Sequence, residues 1–153
     1  MTKTMNTVKN LDLTRIETMS QQRGRPFRIL VVDDEPRVRD VFKEFCEVTR
    51  SVEVDIAVNG LEALEKVKGG DYDLVTMDLI MPEMAGVEAV SRIKEMKPYL
   101  PIIIVTGNAT EKLVKEAGVR GAASLLYKPV MLKDFVNEII VTLEKSHDRR
   151  SRA

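Results

Sequence analysis

From residue 27 onwards, short apolar runs alternate with amphipathic segments, and that alternation leaves few folds open. "FRILVVDD" carries a buried-strand run, Ile29 to Val32, that closes on two acids. Val38, Val41, Phe42, Phe45 and Cys46 then follow helical spacing. "SVEVDIAVN" sets Val52, Val54, Ile56 and Val58 in period two, and "GLEALEKVKGG" returns to helical spacing before a glycine stop. "YDLVTMDL", "PIIIVTG" and "AASLLYKP" read as strands; "GVEAVSRIKEMKP", "ATEKLVKEAGVRG" and "MLKDFVNEIIVTLEK" read as the helices between and after them. Five strands and five helices in alternation specify an α/β fold with a parallel sheet. Continuous runs such as "IIIV" need helices on both faces. The second strand alternates most and is expected at an edge. Right-handed crossovers point to a doubly wound, flavodoxin-like sheet of order 2-1-3-4-5.

The 153 residues suffice for one domain with a real core. The longest aliphatic run, "IIIV", is far too short to span a membrane, and the N-terminus has no apolar leader core, so no membrane role is expected. A single cysteine, Cys46, rules out an internal disulfide framework and fits the cytoplasm. The formal net charge is zero but unevenly spread. Residues 1–28 carry six basic and two acidic side chains, residues 144–153 four and two, and residues 29–143 fourteen and twenty. An acidic centre with basic ends lacks the basic face of a nucleic-acid binder, so no direct DNA binding is expected. Residues 1–26, rich in Thr, Asn, Gln and Ser, read as a flexible arm whose one candidate element is a short helix near 12–20. Residues 27–145 form the domain and 146–153 a basic tail.

In open α/β sheets the ligand crevice lies beyond the carboxyl ends of the strands. There the first strand ends in Asp33 and Asp34, the third in Asp78, the fourth in Thr106 and the fifth in Lys128. Two carboxylates ~5 Å apart repel by roughly 3 kcal/mol at an effective dielectric of 20. A divalent cation relieves this, and hard oxygen ligands with few protein donors favour Mg²⁺, which accepts a phosphate as co-ligand. An ammonium on the other side of a phosphoryl group would complete its neutralisation, with the threonine hydroxyl as a further donor. The only histidine, His147, lies in the tail, so Ser–His or Cys–His chemistry is not expected. Asp78 itself can form an acyl phosphate. Each residue also has a plainer reading: Asp34 as a helix cap before Glu35 and Pro36, Thr106 as a cap, Lys128 as a surface lysine, Asp78 as a turn residue. Chance placement of all four at strand ends is the weaker account.

The motifs "ILVVDDEP", "DLIMPEMAG", "IIIVTG" and "YKP", in this order on these elements, resemble the receiver domain of two-component response regulators over about residues 27–145. The resemblance implies a signalling protein rather than an enzyme. A histidine kinase or phosphotransfer protein would phosphorylate Asp78, and the chain would assist that transfer and a slow dephosphorylation. Mg²⁺ would be bound by Asp34 and Asp78, with help from Asp33 and the backbone carbonyl of Ile80. Thr106 and Lys128 would contact the phosphoryl oxygens and move on activation, Thr106 as part of the switch. The Lys128–Pro129 bond is usually cis in the family. A downstream protein would dock on the face built from the fourth helix of the alternation, the fifth strand and the fifth helix, a face that can also form a homodimer.

The sequence departs from the family pattern in places. The switch aromatic belongs at Leu125; Tyr127, two residues on and on the same strand face, is expected to substitute in part. Ile80 and Asn108 stand at the approach for hydrolytic water, and an apolar Ile80 implies a long-lived phosphoryl state. Only "SHDRRSRA" follows the last helix, so a stand-alone receiver acting through a partner is expected, unless the chain is cut from a longer protein. An aspartate-nucleophile phosphatase would want an acid where Ile80 stands. A flavin binder would want a phosphate loop in place of "DDEPR". The remaining alternative is a pseudo-receiver, a phosphorylation-independent interaction module, which would usually lose one of the acids or the lysine; none is lost.

Overall fold

The computed structural model describes residues 12–152. Five parallel strands lie in the order β2-β1-β3-β4-β5: β1 (Phe27–Val32), β2 (Val52–Ala57), β3 (Leu74–Met77), β4 (Ile102–Thr106) and β5 (Ser124–Tyr127). The helices are α1 (Thr14–Arg23), α2 (Pro36–Val48), α3 (Gly60–Gly69), α4 (Gly86–Met96), α5 (Glu111–Val119) and α6 (Leu132–Arg152). This is the doubly wound fold expected from the alternation, with β2 on an edge.

Both faces of the sheet are covered. Ile29, Val31, Leu74, Ile103 and Val105 face one core with Phe42 and Phe45 of α2 and Phe135, Ile139 and Ile140 of α6. The rings of Phe42 and Phe135 meet edge to face, centroids 4.0 Å apart. Leu30, Val32, Val75, Met77, Ile102 and Ile104 face the other core with Ala63 and Val67 of α3, Val90 and Ile93 of α4 and Ala117 of α5. Period-two side chains thus split each central strand between two apolar layers, which is why these strands read as unbroken apolar runs.

Two helices extend past the expected domain bounds. Of the arm expected over 1–26, residues 1–11 lie outside the described residues. α1 buries Ile16 fully and Met19 nearly so against the α2–α6 core. Arg23 pairs with Asp73 through two contacts, Nη1–Oδ1 at 3.0 Å and Nη2–Oδ2 at 3.2 Å, and lies 4.4 Å from the Phe27 ring centroid. Arg15 pairs with Glu144 of α6. Gly24, at φ 75°, takes the left-handed turn that ends α1. Within the basic tail expected at 146–153, α6 runs on through Arg152. A short helix near 12–20 does exist, and it is part of the packed domain.

Candidate functional site

The ladder hydrogen bonds carry the strand ends to one place. Asp33 N–H donates to the Ala57 carbonyl at 3.0 Å, Asp78 N–H to the Val32 carbonyl at 3.1 Å, and Lys128 N–H to the Thr106 carbonyl at 3.0 Å. Asp33, Asp78 and Thr106 are buried, with Asp33 and Thr106 at 1% and 0% exposure. A buried carboxylate needs partners, and each oxygen of Asp78 has them. The Thr106 hydroxyl donates to Oδ1 at 3.1 Å, as does the Ile80 N–H, also at 3.1 Å. Lys128 Nζ donates to Oδ2 at 3.0 Å.

Lys128 stands among three acids. Its Nζ is 2.9 Å from Glu35 Oε1, 2.9 Å from Asp33 Oδ2 and 3.0 Å from Asp78 Oδ2. The Glu35 and Asp78 contacts are hydrogen bonds. The Asp33 contact is close but off the hydrogen-bond direction, so the buried Oδ2 of Asp33 holds no hydrogen bond. Its other oxygen, Oδ1, accepts the Glu35 N–H at 2.9 Å, a turn that ends β1 and turns the chain into Pro36 at the first position of α2. Burial pushes the Asp33 carboxyl above its ordinary value, against the hydrogen bond from Glu35 N–H and the charge of Lys128. Burial works against the Lys128 charge too, but Asp33, Glu35 and Asp78 together hold its ammonium above the usual lysine range.

The loop after β3 is shaped for close approach. A Cβ on Gly86 would meet the Asp78 carbonyl oxygen and lie 2.6 Å from Leu79 Cα, so only glycine lets α4 start against the site. Glu83 holds φ 73°, a left-handed backbone that a non-glycine residue rarely adopts. The Lys128–Pro129 bond is cis, as the resemblance implied.

The structure brings Asp33, Asp78, Thr106 and Lys128 together and adds Glu35, whose carboxylate clusters with those of Asp33 and Asp78 within 4.8 Å. The sequence reading weighed Glu35 only as a first-turn residue; the signal for more was the third acid in "DDEP". Asp34 is exposed and stands outside this cluster. It does not cap α2, whose N-cap is Glu35. Nor does Thr106 cap α5: Thr110 does, its hydroxyl accepting the Leu113 N–H at 3.2 Å. Ile80 is half exposed beside the pocket. Leu125 and Tyr127 lie apart from it. Leu125 packs against the α4–α5 core, and Tyr127 is 61% exposed at the end of β5.

The donor set fits a divalent cation. Three clustered carboxylates face one ammonium, an excess of two negative charges, and a buried carboxylate oxygen there has no hydrogen bond. Oxygen donors of this kind suit Mg²⁺.

The doubly wound sheet thus converges its strand ends on one buried aspartate held by a threonine and a lysine. Residues 29–140 match the family model of the response regulator receiver domain. The chain is 33% identical over 132 residues to the chemotaxis protein CheY of Treponema pallidum, covering 85% of this chain and 92% of that one. Among solved structures, a CheY-like receiver domain protein of Methanospirillum hungatei superposes with TM-score 0.77 at 29% identity, over 81% of this chain and 98% of the other. The CheX–CheY–BeF₃–Mg complex of Borrelia burgdorferi matches with TM-score 0.71 at 28% identity, over 79% and 92%. The chain belongs to the response regulator receiver domain family.

Proposed function

We propose that this receiver is a phosphorylation-driven switch in which Asp78 accepts a phosphoryl group from the phosphohistidine of a histidine kinase or phosphotransfer protein. The observation that carries the reading is the convergence of Thr106 Oγ1 and Lys128 Nζ on the two oxygens of one buried aspartate. An Asp78 carboxylate oxygen forms the new bond to phosphorus as the phosphorus–nitrogen bond breaks and its electron pair returns to the imidazole. Lys128 and Thr106 supply donors to the phosphoryl oxygens. Asp34 and Asp78, with Asp33 and the Ile80 carbonyl, would hold Mg²⁺; Asp34 is the exposed acid of this set. A bound Mg²⁺ supplies positive charge that offsets the phosphoryl oxygens. Ile80 presents an apolar side chain where a polar one would orient water, so the acyl phosphate is long-lived. The chain turns over no substrate of its own, and the cytoplasm is where its single half-buried thiol and a kinase partner fit.

The output is partner binding through the face of α5, β5 and α6, which can also pair two copies. Exposed Val119, Tyr127 and Met131 lie on these elements and the loop between them, and Tyr127 also lines a cavity of about 330 Å³ with Leu126, Val130 and Glu138. Tyr127, being exposed, stands in for the absent aromatic at Leu125.

The test is incubation with a small phosphodonor and Mg²⁺, followed by intact mass. One phosphoryl group is expected on the wild type and none on Asp78→Asn. A wild type that stays unmodified while folded would overturn the proposal in favour of a phosphorylation-independent binding module.

A further inference from the structure

We propose that Glu35 is a latch on Lys128, a positioning residue that holds the ammonium while Asp78 is unmodified and so sets how readily the site takes a phosphoryl group. The inference rests on Asp78 being the phosphoacceptor and adds what regulates its occupancy. Three observations carry it. Lys128 donates two hydrogen bonds, and one of them, at 2.9 Å, goes to exposed Glu35 rather than to a buried acid. Glu35 is anchored at its backbone, its N–H bonded to Asp33 Oδ1 and Pro36 fixing the next residue, so its carboxylate springs from a rigid turn. The two ends of the pair differ in solvation: the Lys128 side chain is 11% exposed and that of Glu35 51%.

These facts divide the labour among the three acids. Asp33 and Asp78 are buried and cannot trade Lys128 for water. Glu35 can, at small cost. When a phosphoryl group or its mimic sits on Asp78, an ammonium with three donors must turn one towards it. The Glu35 contact is the one free to be released. A contact made in the unmodified state and given up in the modified one stabilises the first relative to the second.

The experiment is calorimetric titration of beryllofluoride into the full chain, wild type and Glu35→Gln, at a Mg²⁺ concentration that saturates both proteins, alongside NMR of the Lys128 Cε resonance in ¹³C-lysine protein. Glu35→Gln is expected to tighten beryllofluoride binding roughly two- to fivefold, the scale a half-exposed ion pair supports. It should also shift the Lys128 resonance in the free protein but not in the beryllofluoride complex. Unchanged or weaker binding in Glu35→Gln overturns the latch. So does tighter binding with no shift of Lys128 in the free protein, since loss of charge repulsion alone would do that. A folded wild type that binds no beryllofluoride overturns the phosphoacceptor reading and the latch with it.

Discussion

Tyr72 shows how single residues anchor the end of the sheet opposite the site. Its hydroxyl donates to Asp55 Oδ2 at 2.6 Å, and Arg28 donates to the same oxygen at 2.9 Å while its guanidinium lies 4.8 Å from the Tyr72 ring centroid. Burial and the Asp55 carboxylate push the Tyr72 pKa up from 10.0 to about 12. A raised pKa means that the folded state favours the protonated hydroxyl. Its contribution is whole below the unfolded value of 10.0 and drains away as pH rises through about 12. Wild type is therefore expected to exceed Tyr72→Phe in stability by about 1 kcal/mol near neutral pH. That lead should shrink or reverse as the pH is raised through this window, read from paired urea midpoints. A constant lead would show that the hydroxyl is not the titrating group. None of this was legible from the sequence, where Arg28, Asp55 and Tyr72 are scattered and only the sheet register brings them together. Asp78, Thr106 and Lys128 were legible because each ends a strand. Glu35 was not, because its role depends on how the chain turns after Asp33.

Among the elements, α1 is the one whose role the sequence hid. Its apolar stripe is only Ile16 and Met19 among polar neighbours, too narrow to distinguish a packed helix from a solvated arm. What decides the matter is tertiary: Ile16 fills a place in the core shared by α2 and α6, and Arg23 meets an Asp73 that also accepts the Arg28 N–H at 2.8 Å. Ile16→Ala is thus expected to lower the stability of the whole domain by about 2–4 kcal/mol in a single transition. A urea curve superimposable on wild type would mean that α1 undocks freely. The five strands, by contrast, announced themselves, since burial on two faces demands apolar residues at every position and leaves the polar ones to mark where each strand ends. The end of α6 was missed because "SHDRRSRA" carries charge without an apolar stripe, and helix continuation past a packed segment needs no such stripe.

For the whole molecule, the pocket works as a linkage between parts of the chain far apart in sequence. Asp33 and Glu35 follow β1, Asp78 follows β3 and Lys128 follows β5, so their carboxylates and ammonium meet only when the sheet is assembled. The assembled site carries two more negative charges than positive ones, and that repulsion is stored in the folded state. In the unfolded chain the same residues drift apart and offer no comparable cation site. Mg²⁺ should therefore bind the folded form selectively and stabilise it by mass action, by about 1.4 kcal/mol at ten times its dissociation constant. For a chain of this size that is a rise in melting temperature of roughly 3–6 °C. The rise should follow Mg²⁺ concentration in a thermal melt at constant ionic strength and be reversed by a chelator. It should be much smaller in Asp78→Asn, which removes one clustered charge and one ligand together. An equal rise with a monovalent salt would assign the effect to general screening of an acidic domain instead of a site that only the folded sheet assembles.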